Sequence, residues 1–337
     1  MAKLIELVTN AGQVDVTKGI VEEAVKAVPE LGFFDAGTIP GTELSTLART
    51  TLPTVAFRTL GDPVNSTRSE FAKRTVELAL LSGRIEISEA EALANALMTI
   101  EEQETDEGIA TMKAAFQTLA KQLWYGKTSG KGDAKGFQGA IELVDAAMTT
   151  KAGNGTANAN TSVWFVKTGF KTDAALAFSE NSKILGADDL EFRKGDIVIR
   201  SKKTITIGEG QDAQEGEITT VDGVEPGFIG DLTSWAGLHV ANQHSIARLC
   251  NVTATTGLND DMLTDCIEAF AELNGGSLPD GIFMSFAARK MLRKSRTFAL
   301  KLADGGNGSA YAPTPKDHDG IPIFATSAII DTEATVA

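Results

Sequence analysis

Residues 105–140 run TDEGIATMKAAFQTLAKQLWYGKTSGKGDAKGFQGA, and the reading of this stretch decides how the rest is placed. Ile109, Met112, Phe116, Leu119 and Leu123 recur at three and four residues, which puts all five on one side of an α-helix. Lys113, Gln117 and Lys121 fall on the other side. The spacing therefore predicts a helix with one buried stripe over about 105–125, started by Thr105 or Asp106 as acceptors for its open N–H groups. Acidic residues crowd that start, and Lys113, Lys121 and Lys127 lie towards the negative end of its dipole. Trp124 and Tyr125 stop the helix, a Gly/Lys-rich loop follows, and the chain re-enters at Phe137.

Upstream, Ser88 and Glu91 have capping-box spacing ahead of Leu93, Leu97 and Ile100. The acidic run 101–108 either interrupts that helix or joins it to the central one, since the apolar period slips there. Residues 1–52 have the composition of an arm. Ile20, Val21, Ala24, Val25 and Val28 form one short apolar face that Pro29 ends. Residues 32–52 then lack periodicity, as expected of an extended segment that lies on another surface. VAFRTL at 55–60, the turn-rich GDPVNSTRS and the long EFAKRTVELALLSGRIEI predict a β-hairpin over 53–87 with a polar tip. Such a hairpin is marginal alone. Arg58, Arg68, Lys73, Arg74 and Arg84 concentrate positive charge here in a chain of net charge −14. Two readings stand side by side: a solvated loop, or a surface that contacts a partner.

Downstream, AIELVDAAM is helical in pattern, KAGNGTANAN at 151–160 is a polar connector, and TSVWFVKTG at 161–169 is a strand. Further strands are expected at 196–208, 217–223, 234–242 and 245–253, giving a β-rich module. From 258 the helical period returns at 261–273 and 285–302, with the strand GIFMSF between them. A Gly/Pro-rich loop at 303–320 precedes a closing strand at 321–330. The fold class is α+β.

Charged residues are 23% and hydrophobic ones 42% of the 337 residues, an ordinary composition for a water-exposed chain. No apolar run approaches the roughly 20 residues that cross a bilayer. The first residues carry Lys3, Glu6 and Asp15 where an export signal would be apolar, so use in a cytoplasm is expected. Cys250 and Cys266 are too few for a disulfide framework or a four-cysteine zinc site, and are expected as free buried thiols. Net negative charge argues against wrapping nucleic acid with the whole surface.

Chemistry-bearing motifs fail on inspection. Gly126, Lys127 and Thr128 resemble the end of a phosphate loop, but the glycine required five positions earlier is Lys121. There is no G-x-S-x-G and no H-E-x-x-H. His239 and His244 are expected on opposite faces. Asp317, His318 and Asp319 lack the further oxygens of a calcium loop. Trp124 suits a helix-end anchor on Phe137 better than a ligand-stacking role. No acid, base and orienting partner assemble, so neither catalytic residue, cofactor nor metal is expected.

Taken in order, the chain has an arm, a basic hairpin, a stiff helix ending in Trp124, Tyr125 and Gly126, then Phe137 and Gly139, the strand SVWFV at 162–166, Arg248 and Asn251 in R-x-x-N-V, and a closing strand. This resembles the major capsid proteins of tailed bacteriophages with the Hong Kong 97 coat fold, and within them the podophage branch of epsilon15-like phages. The similarity spans nearly the whole chain; the Lys-rich loop 127–136 and the acidic 101–108 depart from it. The resemblance implies an N-terminal arm at 1–52, an extended E-loop at 53–87, and a peripheral domain at 88–253 whose spine is the central helix. It further implies an axial domain at 254–326 and a C-terminal return segment at 327–337. It implies that copies form hexamers and pentamers of an icosahedral head around double-stranded DNA, in a virion assembled in a bacterial cytoplasm. Scaffolding, portal and cement proteins are the implied partners. An encapsulin-like compartment on the same fold, and a sugar-binding or enzymatic β protein, are the rival readings.

Overall fold

The computed structural model describes residues 28–51, 53–59, 63, 66–94, 98–180, 192–207, 214–303 and 312–336. Of the apolar face expected over 20–28, only Val28 falls within them. The chain divides into two compact units. The first takes residues 1–80, 116–184 and 234–337, the second 81–115 and 185–233.

In the first unit the organising layer is a six-stranded sheet in the order β12-β13-β11-β6-β10-β5. Its strands are β5 (Thr149–Lys151), β6 (Thr161–Val166), β10 (Ile246–Val252), β11 (Gly281–Ser285), β12 (Asp317–His318) and β13 (Ile321–Thr326). Every residue of β6, β10 and β11 is buried because both faces of the sheet are covered, which explains their near-continuous apolar runs. Alternation assigns the faces. Val163, Phe165, Ala247, Leu249, Ile282 and Met284 pack with Leu263, Cys266, Ile267, Phe270, Ala288 and Leu292. Those partners come from two helices, α5 (Asp260–Leu273) and α6 (Phe286–Ala303), which follow the four-residue α4 (Ala140–Leu143) in the chain. On the opposite face Trp164 and Phe283 meet Trp124 from the C-terminal end of the long helix α3 (Ile100–Tyr125), while Phe33 and Phe34 of the segment around α1 (Pro29–Phe33) pack on Phe283.

The arm is accordingly not free of its own subunit from Val28 onward. Pro29 opens a five-residue helix at its first turn, where a missing N–H costs nothing, and the pattern expected to end at it lies outside the described residues. Leu31 and Phe34 are fully buried in the same chain, and β1 (Ala36–Ile39) pairs in parallel with β7 (Ala174–Ser179). The sequence pattern hides this because Leu31, Phe33, Phe34, Ala36 and Ile39 are buried through ring contacts and a short strand, neither long enough to show a period.

The hairpin also differs from expectation. β2 (Glu43–Thr51) pairs antiparallel with β3 (Glu70–Glu77), so the first limb is 43–51 and residues 53–59 belong to the tip. The second limb ends at Glu77, the next residue Leu78 is buried beside Ile39 and Ala177, and β4 (Ala79–Ser88) is a separate strand of another sheet. An unbroken alternation through 70–87 conceals the break, since one buried leucine fits either description.

In the second unit β8 (Phe192–Ile207) pairs antiparallel with the first part of β9 (Gln214–Val240), and β4 lies next to β9. The strands expected at 217–223 and 234–242 are one 27-residue strand. Its last residues pair with β7 in the first unit. Ile85, Ile87 and Ala92 form a small core with Ile100, Phe192 and Phe228. The helix α2 (Glu89–Ala94) and α3 are distinct, which answers the open question about 88–125. Thr99 starts α3: its amide donates to Glu102 Oε2 at 2.8 Å, and the Glu102 amide donates to Thr99 Oγ1 at 3.3 Å, a reciprocal cap. The acidic run is therefore the first turns of α3, where carboxylates suit the dipole. Thr105 sits inside the helix and donates to the Glu101 carbonyl rather than starting it.

β10, before residue 253, and β11 and β13, after it, belong to one sheet, so the modules expected to meet at 253–254 share a core. No helix among the described residues is long and apolar enough to cross a membrane.

Candidate structural anchor and contact site

The end of α3 is where the buried stripe meets polar chemistry. Trp124 is fully buried, stacked on Trp164 at 5.4 Å and tilted against Phe283 at 5.3 Å, with Phe34 edge-on at 6.2 Å. These rings take the place expected of Phe137. Each such pair adds about 0.5–1.5 kcal/mol beyond its burial. The indole N–H donates to Glu30 Oε1 at 3.0 Å. Glu30 is itself fully enclosed; burial pushes its carboxyl above the usual range, opposed by hydrogen bonds from Thr326 and Trp124.

Tyr125 points the other way. Its hydroxyl donates to Glu333 Oε1 at 2.6 Å and accepts from the Ile330 amide at 2.9 Å. Glu333 Oε2 accepts from Arg248 Nη2 at 2.8 Å and from Ser162 Oγ at 2.5 Å, while Arg248 Nε donates to Ser162 Oγ at 2.9 Å. The Arg248 guanidinium lies over the Trp164 ring at 5.2 Å. This is a buried ion pair whose remaining hydrogen-bond capacity is largely used, the condition under which burial of two charges is tolerated. Three residues beyond Glu333 the same device recurs: Asn251, held at φ 60°, donates from Nδ2 to the Gly153 and Val336 carbonyls and accepts the Val336 amide at 2.9 Å. Arg248 and Asn251 thus anchor residues 333–336 to β10.

Gly126 and Gly139 have a common physical reason. Gly126 has φ 61°, and a Cβ on it would lie 2.3 Å from the Gly139 nitrogen; a Cβ on Gly139 would lie 2.3 Å from the Gly126 nitrogen. Only two glycines let these backbones touch. Gln122 completes the knot: Nε2 donates to the Phe137 carbonyl at 2.7 Å and Oε1 accepts the Asp133 amide at 2.7 Å. The Lys-rich loop is thereby folded onto the helix end.

Of the basic residues, Lys73 and Arg74 lie on β3, and Arg58 and Arg68 lie in the segment joining β2 to β3, with Arg58, Arg68 and Lys73 exposed. Around them Val55, Phe57 and Phe71 are also exposed, Val55 and Phe57 to more than nine-tenths. Arg84 is not among them. It lies on β4 and forms a two-pronged pair with Asp231, at 2.6 and 3.3 Å, and Arg193 joins the same carboxylate at 2.9 Å. Hydrogen bonding from Arg84 holds Asp231 below the usual carboxylate range.

Glu30, Gln122, Ser162 and Glu333 were not singled out from the sequence. Gln122 alone had a legible signal, a polar residue three positions after Leu119 on the buried stripe. His239 is buried in β9 against Phe170 at 5.8 Å, and burial lowers its pKa; His244 lies in the following turn. His318 packs on Asp260, Nδ1 to Oδ1 3.1 Å, and Arg296 binds the same carboxylate at 2.7 Å. Arg296 and His318 thus share the Asp260 carboxylate. Among the described residues no group of three or more His, Cys, Asp or Glu is arranged to hold a metal. Cys250 and Cys266 are free and buried, with burial pushing the Cys266 thiol up to about 11. A cavity of about 590 Å³ beside the hairpin base is floored by Leu78, Phe137, Leu238 and Val240. Its charged residues include Lys127 and Glu77, 4.0 Å apart, with no nucleophile beside a base.

A family model described as Major capsid protein GP7 matches residues 37–337. No curated protein sequence matches the chain. Among solved structures, a chain of bacteriophage epsilon15 is 17% identical with TM-score 0.54, covering 90% of this chain and 88% of its own. A chain of the bacteriophage JBD30 capsid is 11% identical with TM-score 0.47, covering 96% and 97%. A chain of the holo-SrpI encapsulin complex from Synechococcus elongatus PCC 7942 is 9% identical with TM-score 0.41, covering 67% and 88%. The epsilon15 likeness shows a shared fold, of the Hong Kong 97 type.

Proposed function

The chain belongs to the major capsid protein GP7 family, and on that premise we propose that its copies close into hexamers and pentamers of an icosahedral phage head around double-stranded DNA. The observation that carries the proposal is the β2–β3 hairpin. A two-stranded ribbon is marginal in water, and this one exposes Val55, Phe57 and Phe71 at and near its tip. Its base is tied down by Leu44, packed with Ile39 and Leu78, while Ser45, Phe71, Lys73 and Thr75 are exposed. Cover for such a ribbon comes from an adjacent copy, with Arg58, Arg68, Lys73 and Arg74 supplying charge at the contact.

In this reading the roles implied for arm, E-loop, peripheral and axial segments are kept, with the E-loop's first strand moved back to Glu43. A heterologous contact that closes gives a ring, and small differences in closure give five-fold and six-fold rings from one subunit. Many contacts per copy, each near 1,600 Å² as a typical size, make loss of a single copy rare. The net charge of −14 leaves enclosed DNA unattached to the wall and needs no sequence-specific contact. Scaffolding, portal and cement proteins are the expected partners, and the assembled virion is the working location. The family match favours this over a compartment loaded with a cargo enzyme.

Negative-stain electron microscopy of the expressed protein, with and without a scaffolding partner, tests the proposal. Closed shells or rings are expected. Dispersed single subunits under every condition would overturn it.

A further inference from the structure

Charge is sorted between the two helices that cover one face of the six-stranded sheet. α5 carries five acidic residues and no basic one; α6 carries six basic residues and no acidic one. On α5, Asp261, Asp265, Glu268 and Glu272 step by four, three and four, so they form one exposed stripe. On α6, Lys290 and Lys294 are exposed one turn apart, and Arg289 lies beside them over the Phe286 ring.

Asp261, in the first turn of α5, suits its dipole, but the rest of neither stripe is explained by the chain's own stability. Like charges at i, i+4 destabilise a helix by about 0.2–0.5 kcal/mol per pair. Glu272 sits in the last turn of α5, at the negative end of its dipole, with no basic residue there. Arg289 and Lys290 sit near the start of α6, at the positive end, where its first turn has no acidic residue. Among the described residues, none of the four α5 carboxylates, nor Lys290 or Lys294, takes part in an ion pair. α5 packs over β10, towards one edge of the sheet, and α6 over β11, β13 and β6, towards the other. The acidic and basic stripes are therefore carried on different flanks of one layer, as a head-to-tail contact requires and a two-fold one does not.

We infer that the acidic stripe of α5 in one copy docks against the basic stripe of α6 in a second copy of the same chain, making the ring contact heterologous and electrostatic. The inference rests on the reading that copies close into rings, and it names the surface they use.

Charge reversal tests it. E268K with E272K, and separately K290E with K294E, should each abolish shells seen by electron microscopy while circular dichroism remains that of the wild type. All four substitutions in one chain should restore shells. An equimolar mixture of the two double variants can pair only by strict alternation, which six-membered rings allow and five-membered rings forbid. It should give rings or open sheets without closed shells. For the wild type, capsomer yield should fall at least tenfold between 0.1 and 1 M salt, a measurement that needs no variant to fold. Shells from either double variant, a folded fourfold variant that does not assemble, or salt-independent yield would overturn the inference and leave the shell function standing. Absence of shells from the wild type under every condition would instead remove the function itself.

Discussion

Tyr125 Oη stands 2.6 Å from Glu333 Oε1, so the last residue of the long helix is bonded to a carboxylate 208 positions later. Through Glu333 the same bond reaches Arg248 and Ser162, which makes the end of α3, the middle of the sheet and the final residues one buried polar unit.

Breaking that unit from either side has different expected costs. Tyr125→Phe leaves a carboxylate oxygen and the Ile330 amide short of a partner and should cost about 1–3 kcal/mol in urea unfolding. Arg248→Met leaves Glu333 buried and unpaired and should cost about 3–5 kcal/mol. Equal, small losses from both would show that the hub is not coupled.

Burial first, and then the negative charge of Glu333, push ionisation of the Tyr125 hydroxyl well above its ordinary 10.0. A raised folded-state value means that stability is intact below pH 10 and falls above it, by about 1.4 kcal/mol per pH unit. Subtracting the Tyr125→Phe curve from the wild-type curve between pH 9 and 11.5 should isolate this slope; parallel curves would refute it.

Glu30 behaves with the same sign at the acid end. Its carboxyl is raised by burial, so its contribution is present below pH 4.5 and is lost as pH rises. Glu30→Gln keeps an acceptor for Trp124 and carries no charge to bury. The variant should be at least as stable as wild type at pH 7 and less dependent on pH above 4.5, as read by thermal unfolding at several pH values. A destabilised variant at pH 7 would contradict the assignment.

Gly139→Ala brings a methyl to 2.3 Å from the Gly126 nitrogen, and Gly126→Ala adds a left-handed φ to the same clash. Left-handed strain alone costs about 1–3 kcal/mol, so each variant should lose several kcal/mol in urea, Gly126→Ala the more. By contrast, Gly130→Ala, with φ 69° but open space around it, should lose only the strain. The order of these three midpoints checks the argument.

Deleting residues 61–69 shortens the connection between β2 and β3 and removes Arg68 while leaving both strands. Helix content by circular dichroism should be unchanged, and shells should be absent by electron microscopy. Normal shells from this deletion would remove the hairpin from the assembly contacts.

The stripe of α3, the apolar run of β6 and the periodic α5 and α6 were legible because each is a local pattern, and local patterns survive in a linear sequence. The hairpin was legible as a hairpin but with its first strand misplaced. Its β2 residues, ELSTLARTT, place polar and apolar residues without strict alternation and so carry no strand period. The break at Leu78 was invisible for the opposite reason, since one buried leucine continues the alternation across two strands that belong to different sheets.

By itself the amino-acid order determined the stiff helix, its aromatic end, the covered strands and the α+β class, because these depend on residues within a turn or two of one another, and the order of these elements along the chain carried the resemblance to a capsid chain. Only the tertiary structure decided that Glu30 would meet Trp124, that Glu333 would meet Tyr125 and Arg248, that Gly126 would touch Gly139 across a loop, and that Arg84 would be bound to Asp231 instead of standing with the hairpin. A buried charge is tolerable only where its partner arrives, and that partner is chosen by the path of the whole chain rather than by spacing along it.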